Sequence, residues 1–158
     1  MALNPAHVEV LKEAADQSAV FVAQNMTLEH FDETSARIRV RNGRNLTNLA
    51  GVVHGGVYAS VADAVMAWAT YGAAPDGVGF TSLDCNVDFL RGFTTEEMVF
   101  EARIVKPGRT IMFAECTAYD DKGKQLISGT SKLMLSESIP TLDAMARKEG
   151  FDVPPKFL

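Results

Sequence analysis

The sequence is poor in the features that mark several large classes of protein. Its 158 residues hold only two cysteines, Cys85 and Cys116. Two such distant thiols make no disulfide scaffold and no metal-ligand spacing, so no metal is expected, and free thiols in a cytoplasmic location are the simplest reading. Positive charge is scarce as well. Fifteen Lys and Arg face twenty Asp and Glu, a net charge of −5, which argues against a chain built around nucleic acid. No apolar run reaches the roughly 18 to 20 residues that span a bilayer, so no membrane partner is expected. The start, Met1-Ala2-Leu3-Asn4-Pro5, lacks a basic stretch leading into an apolar one, so no secretory signal is expected. Internal repeats and low-complexity segments are also lacking. What remains is 47% hydrophobic and 22% charged residues, enough for a packed core in one domain over residues 1–158.

Hydrophobic spacing orders that domain. Val8, Leu11, Ala15, Ala19 and Val22 recur at helical intervals and predict an N-terminal helix over 5–23. Ala36, Ile38 and Val40 alternate with Ser35, Arg37, Arg39 and Arg41, the period of a strand with one dry face. Thr27 to Phe31 reads as its hairpin partner, turning at Asp32-Glu33. Four further strands are expected at Phe80–Leu90, Met98–Val105, Thr110–Tyr119 and Gln125–Leu135, with short connections that imply antiparallel pairing. Residues 137–158 read as a tail with a short helix at Leu142–Lys148, leaving a core of about 26–136. Cys85 and Cys116 fall within strands and read as near-core thiols. Trp68, Met66 and Met112 read as packing, and His7 and His30 as surface residues.

Between the hairpin and the strands lies the most informative segment. From Val57 to Tyr71 the chain is apolar nearly all round, follows Gly55-Gly56, and carries one charge, Asp63. A helix apolar on every side is a buried helix. One long helix wrapped by a curved antiparallel sheet, an α+β arrangement, fits the order of elements. A single sheet covers only one side of such a helix, so a second subunit is expected to cover the rest.

Asp63 is then the first candidate for chemistry, because a carboxylate in apolar surroundings is costly unless it is paired or functional. His54-Gly55-Gly56 is the second. The first N–H groups of a helix have no internal acceptor, glycine admits a ligand close to the backbone, and the helix end favours negative charge. This is a candidate oxyanion hole for acyl transfer. Gly56 and Asp63 are seven positions apart, about 10 Å along one helix axis. Both must come within about 3 Å of one reacting group. Two antiparallel copies of the helix across a two-fold axis can achieve this, which points to a dimer with two shared sites.

The run Asn48-Leu-Ala-Gly-Val-Val-His54-Gly-Gly-Val-Tyr-Ala-Ser-Val-Ala-Asp63 resembles the N-x(5)-H-G-G-x(6)-D signature of hotdog-fold thioesterases of the PaaI (phenylacetate-pathway) type. Thr81-Ser82-Leu-Asp-Cys-Asn86-Val-Asp-Phe89-Leu90-Arg91 resembles the strand that follows the helix in that family, and Lys106-Pro-Gly108-Arg109-Thr110 its next hairpin. The similarity spans roughly Asp32 to Ser136. It implies a hotdog fold and an acyl-CoA thioesterase. It implies Asp63 as nucleophile or general base, Gly55 and Gly56 as donors to the thioester carbonyl, and Asn48 near that carbonyl or the attacking water. His54 would orient the loop, and Ser82 would lie beside the aspartate. The family is built from dimers, commonly paired into tetramers.

Thioester hydrolysis needs an activated water or carboxylate and oxyanion stabilisation, but no metal or redox cofactor. Coenzyme A, part of the substrate, carries phosphates, and Arg91, Lys106, Arg109 and Lys132 are candidates to pair with them. Gly108 would let the chain approach a pyrophosphate, or serve only as a turn residue. Two other readings use the same fold: a non-catalytic acyl-CoA binder, which would not need Asp63, and a hydratase or dehydratase, whose motifs are not found.

Overall fold

The computed structural model describes residues 1–92 and 96–158. An N-terminal pair of helices, α1 (Pro5–Gln17) and α2 (Ala19–Ala23), leads into the hairpin β1 (Met26–Phe31) and β2 (Ser35–Arg41). A short 3₁₀ turn and a loop bring the chain to the long helix α3 (Gly55–Ala73). Five strands follow: β3 (Gly79–Ser82), β4 (Asn86–Phe89), β5 (Glu97–Lys106), β6 (Ile111–Asp120) and β7 (Gln125–Ser136). Helix α4 (Leu142–Lys148) closes the order. The strands form one antiparallel sheet in the order β1-β2-β5-β6-β7-β3, with β4 also on β7. Helix α3 touches all seven. One helix can meet every strand only if the sheet curls around it. This is the expected α+β hotdog architecture.

The apolar spacing of α3 explains its place. Val57, Tyr58, Val61, Val65, Met66, Trp68 and Tyr71 turn inward against Ile38, Val40, Met98, Phe100 and Leu133 from the sheet. Each such side chain contributes roughly 1.5–3 kcal/mol when fully buried. Among the described residues, no helix is long and apolar enough to cross a membrane.

Three expectations are corrected. The N-terminal helix over 5–23 is broken at Ser18, whose backbone is extended and whose hydroxyl donates to the Ala15 carbonyl at 2.6 Å. The break turns Phe21 inward and leaves Ala19 and Val22 outside. The strand over 80–90 is two strands. Ser82 pairs with Leu133 but Asn86 pairs with Thr130, so three residues, 83–85, oppose two, a bulge. Asp84 holds it: its carbonyl accepts from Ser131 Oγ at 2.7 Å and its carboxylate from the Lys132 N–H at 2.8 Å. Cys85 therefore sits exposed off the strand, while Cys116 is buried in β6 as expected.

The third correction is His7, which is fully buried rather than on the surface. Its Nδ1 lies 2.8 Å from the Pro154 carbonyl, so that nitrogen carries a proton, and its Nε2 lies 2.7 Å from the Tyr71 hydroxyl. Tyr71 donates to Asp143 at 3.1 Å, and Arg147 donates to Asp143 at 2.5 Å. Beside this network the buried Lys156 donates to the carbonyls of Tyr71 and Ala74 at 2.6 and 2.7 Å. The ammonium thus caps the C-terminal carbonyls of α3. The N-terminal helix, the end of α3 and the tail are fastened together at this point.

Burial lowers the Lys156 ammonium from 10.5 to about 8. The unfolded chain keeps that proton to higher pH, so between these values the unfolded state binds more protons. The residue's contribution to stability therefore rises with pH across that window. Denaturant melts should show wild type gaining on Lys156→Met as pH is raised from about 8 to about 10. A stability difference that stays flat across the window would contradict the account.

Candidate active site

Asp63 lies in the middle of α3 on a stripe with Gly56, Ser60 and Ala67 that the sheet leaves partly uncovered. Across the chain, Ser82 of β3 donates its hydroxyl to Asp63 Oδ1 at 2.7 Å. Among the described residues, this is the one hydrogen bond to that carboxylate. The sheet thus fixes the carboxylate by one oxygen. The edge beside it is open: β3 and β4 pair only with β7, and Leu83, Phe89 and Leu90 are exposed there. Cys85 is a neighbour. Desolvation, together with the charges of Asp63 and Asp84, pushes its thiol up, so it is no ready thiolate.

The N-terminus of α3 separates two donors that sequence treats alike. His54 is the N-cap, and its Nδ1 accepts from the Gly56 N–H at 2.9 Å. Nδ1 is therefore unprotonated, and the neutral ring carries its proton on Nε2. This bond engages the Gly56 donor. Gly55, at the first helical position, has no intrahelical acceptor for its N–H, and remains the donor directed out of the helix end. A Cβ at Gly55 would lie 3.4 Å from the Phe89 ring, which therefore packs beside this turn.

Asn48 builds the loop that delivers this turn. Its Oδ1 accepts from the N–H groups of Ala50 at 2.9 Å and Val52 at 3.3 Å, and the His54 N–H reaches the Leu46 carbonyl at 2.8 Å. A cleft of about 340 Å³ adjoins Gly55, lined by Val53, Tyr58, Phe89, Leu90, Arg91 and Gly92. Sequence alone gives Tyr58 and Phe89 no role, although Tyr58 lies one turn from Gly55. Roomier depressions lie elsewhere, one of them on the sheet and bounded by Arg37, Glu101, Arg103 and Glu115. Those charges already pair, Arg37 with Glu101 at 2.6 Å and Arg103 with Glu115 at 2.5 Å.

The other basic candidates are spread out. Arg91 stands at the cleft by the start of α3. The β5–β6 hairpin with Lys106 and Arg109 adjoins the cluster of Ala74, Met112 and Leu135 at the opposite end of that helix. Lys106 lies over the Phe113 ring, 5.6 Å from its centroid. Lys132 is ion-paired with Asp84. Gly108 is accounted for by the hairpin, since a Cβ there would stand 2.1 Å from the Ile111 carbonyl oxygen.

Residues 50–127 match the family model of the thioesterase superfamily. That stretch holds both His54-Gly55-Gly56 and Asp63. Over that stretch, just under half of its length, the chain is similar to the thioesterase superfamily. Solved structures agree on its hotdog fold. A thioesterase from Haemophilus influenzae superposes with a TM-score of 0.76 and 19% identity, covering 82% of this chain and 90% of that one. A thioesterase family protein from Silicibacter pomeroyi gives 0.74 with 23% identity, covering 80% and 96%. A mutant thioesterase from Pseudomonas aeruginosa gives 0.74 with 21% identity, covering 81% and 92%. The segment that the family model matches is the one in which Asp63, Ser82 and the helix start are held.

Proposed function

We propose that the chain hydrolyses acyl-CoA thioesters to free acid and CoA, at sites shared by two copies of the chain. The observation that carries this reading is the position of Asp63. It is held by Ser82 on the uncovered stripe of α3, eight positions from Gly55, which is about 12 Å along the axis. A second copy of α3, running antiparallel, would bring its own helix start to that carboxylate. The open β3–β4 edge and its exposed Leu83, Phe89 and Leu90 supply the apolar surface such a pairing would bury. Arg91 at the cleft, and Lys106 and Arg109 on the β5–β6 hairpin, would offer cations for the phosphates of CoA. Pairing of such dimers into a tetramer is part of the same reading.

In this site the Gly55 N–H would polarise the thioester carbonyl and take the developing negative charge. His54 holds the turn by engaging Gly56, and Asn48 holds the loop. Asp63 would take a proton from water as it attacks the carbonyl carbon, or attack that carbon itself to give a mixed anhydride that water then opens. In either route the C–S bond breaks and CoA leaves as thiolate. An aspartate rather than a glutamate on the helix favours a PaaI-like enzyme. The purified chain is expected to release free thiol from at least one member of a panel of aromatic and medium-chain acyl-CoA thioesters. Failure to release thiol above the uncatalysed rate from every member would contradict the proposal.

A further inference from the structure

Tyr58 carries an oxygen that the fold does not use. The residue is 3% exposed, and its buried hydroxyl has no hydrogen-bond partner among the described residues. Tyr71, on the same helix, shows that this fold can satisfy a buried tyrosine, since its hydroxyl meets both His7 and Asp143. The Tyr58 ring packs against the rings of Phe89 and Phe100, with centroids 6.0 and 6.5 Å away. A phenylalanine would make the same ring contacts without an orphaned hydroxyl. Leaving such a group unsatisfied is costly; packing alone therefore accounts for the ring and not for the oxygen.

The place of this hydroxyl points to a ligand. Tyr58 lines the same cleft as Gly55 and Arg91, three residues on from Gly55 and so on the same side of α3. Its ring packs between Phe89, which also borders Gly55, and Phe100 of β5. Burial pushes the hydroxyl up to about 12, so near neutral pH it is protonated, able both to donate and to accept. It suits an uncharged oxygen, either carbonyl or hydroxyl.

Building on the acyl-CoA reading above, we propose that Tyr58 is a specificity-determining residue, whose hydroxyl hydrogen-bonds a hydroxyl or keto oxygen carried by the acyl group beyond the thioester carbonyl. A site made to bond a substrate oxygen discriminates against the analogue lacking it, because its own buried group is then left unpaired.

The test uses acyl-CoA pairs, aromatic and aliphatic, that differ by one hydroxyl or keto oxygen at successive positions. kcat/KM is measured by thiol release for wild type and Tyr58→Phe, together with Tm. Wild type should favour the oxygenated member at one position by roughly tenfold or more. Tyr58→Phe should bring that ratio close to one while Tm stays level or rises. A ratio that Tyr58→Phe leaves unchanged would overturn the proposal. So would an equal loss on both members with a lowered Tm, the mark of a structural role. If wild type hydrolyses acyl-CoA and only the ratio fails to respond, the Tyr58 assignment falls and the thioesterase reading stands.

Discussion

Asp63→Asn is expected to leave a folded chain and to cut acyl-CoA hydrolysis by at least about two orders of magnitude, within the range attributed to a lost general base. The substitution suits the geometry. An asparagine keeps an oxygen to accept from Ser82, whose hydroxyl now lies 2.7 Å from Asp63 Oδ1, so the contact between α3 and β3 persists. What disappears is the negative charge. Both routes need it, since an amide neither takes a proton from water nor attacks a thioester carbon. Thiol-release rates for the two proteins at matched Tm make the comparison. Turnover equal to wild type would remove Asp63 from the reaction.

The largest stability effect is expected at Gly72→Val, near the C-terminal end of α3. A Cβ there would stand 1.8 Å from the backbone carbonyl oxygen of Asp32 and 2.8 Å from its carbon. That carbonyl cannot step aside cheaply, because its residue is the knot of the β1–β2 turn. Asp32 Oδ1 accepts from the backbone N–H groups of Thr34 and Ser35, each at 2.8 Å, and the Asp32 N–H donates to the Ser35 carbonyl at 2.9 Å. Partial burial opposes ionisation of this carboxyl, but hydrogen bonds from His30, Thr34 and Ser35 outweigh it and hold the group well below the usual carboxylate range. Forcing side-chain volume into such a contact costs typically 1–3 kcal/mol and sometimes more, and we expect at least about 3 kcal/mol here. Gly77→Ala is the contrast. Gly77 has a φ of +74° and no atom within reach of an added Cβ, so it should cost only about 1–2 kcal/mol of backbone strain. Denaturant midpoints compare the two, and equal small shifts would show that the approach to Asp32 is not tight.

What the sequence revealed and what it hid divide along contact distance. Helix α3 was legible because its apolar residues surround it, and Asp63 because one charge stands among them. The Asp32-Glu33 turn and the helix Leu142–Lys148 follow from local signals, and the structure places both where they were expected. The break at Ser18 was hidden because Val8, Leu11, Ala15, Ala19 and Val22 fit a continuous helix, while one hydroxyl bonding back to Ala15 decides otherwise. His7 looked like a surface residue near a helix start, because its partners Tyr71 and Pro154 lie 64 and 147 positions away. The bulge over 83–85 rests on Asp84 reaching Ser131 and Lys132, again far along the chain. In the candidate site, the spacing of Gly55 and Gly56 from Asp63 was readable. The inequality of the two amides was not, since it depends on the rotamer that brings His54 Nδ1 onto Gly56.

A shared site needs Asp63 of one copy to act with the helix start and loop of another. Mixing Asp63→Ala chains with Asn48→Ala chains, after verified subunit exchange, tests this most directly. Each variant alone should be impaired. Random exchange makes half of the dimers hybrids, and each hybrid rebuilds one intact site of its two, so about a quarter of the wild-type activity should return. Activity no greater than the average of the two separate variants, despite demonstrated hybrids, would contradict the shared site.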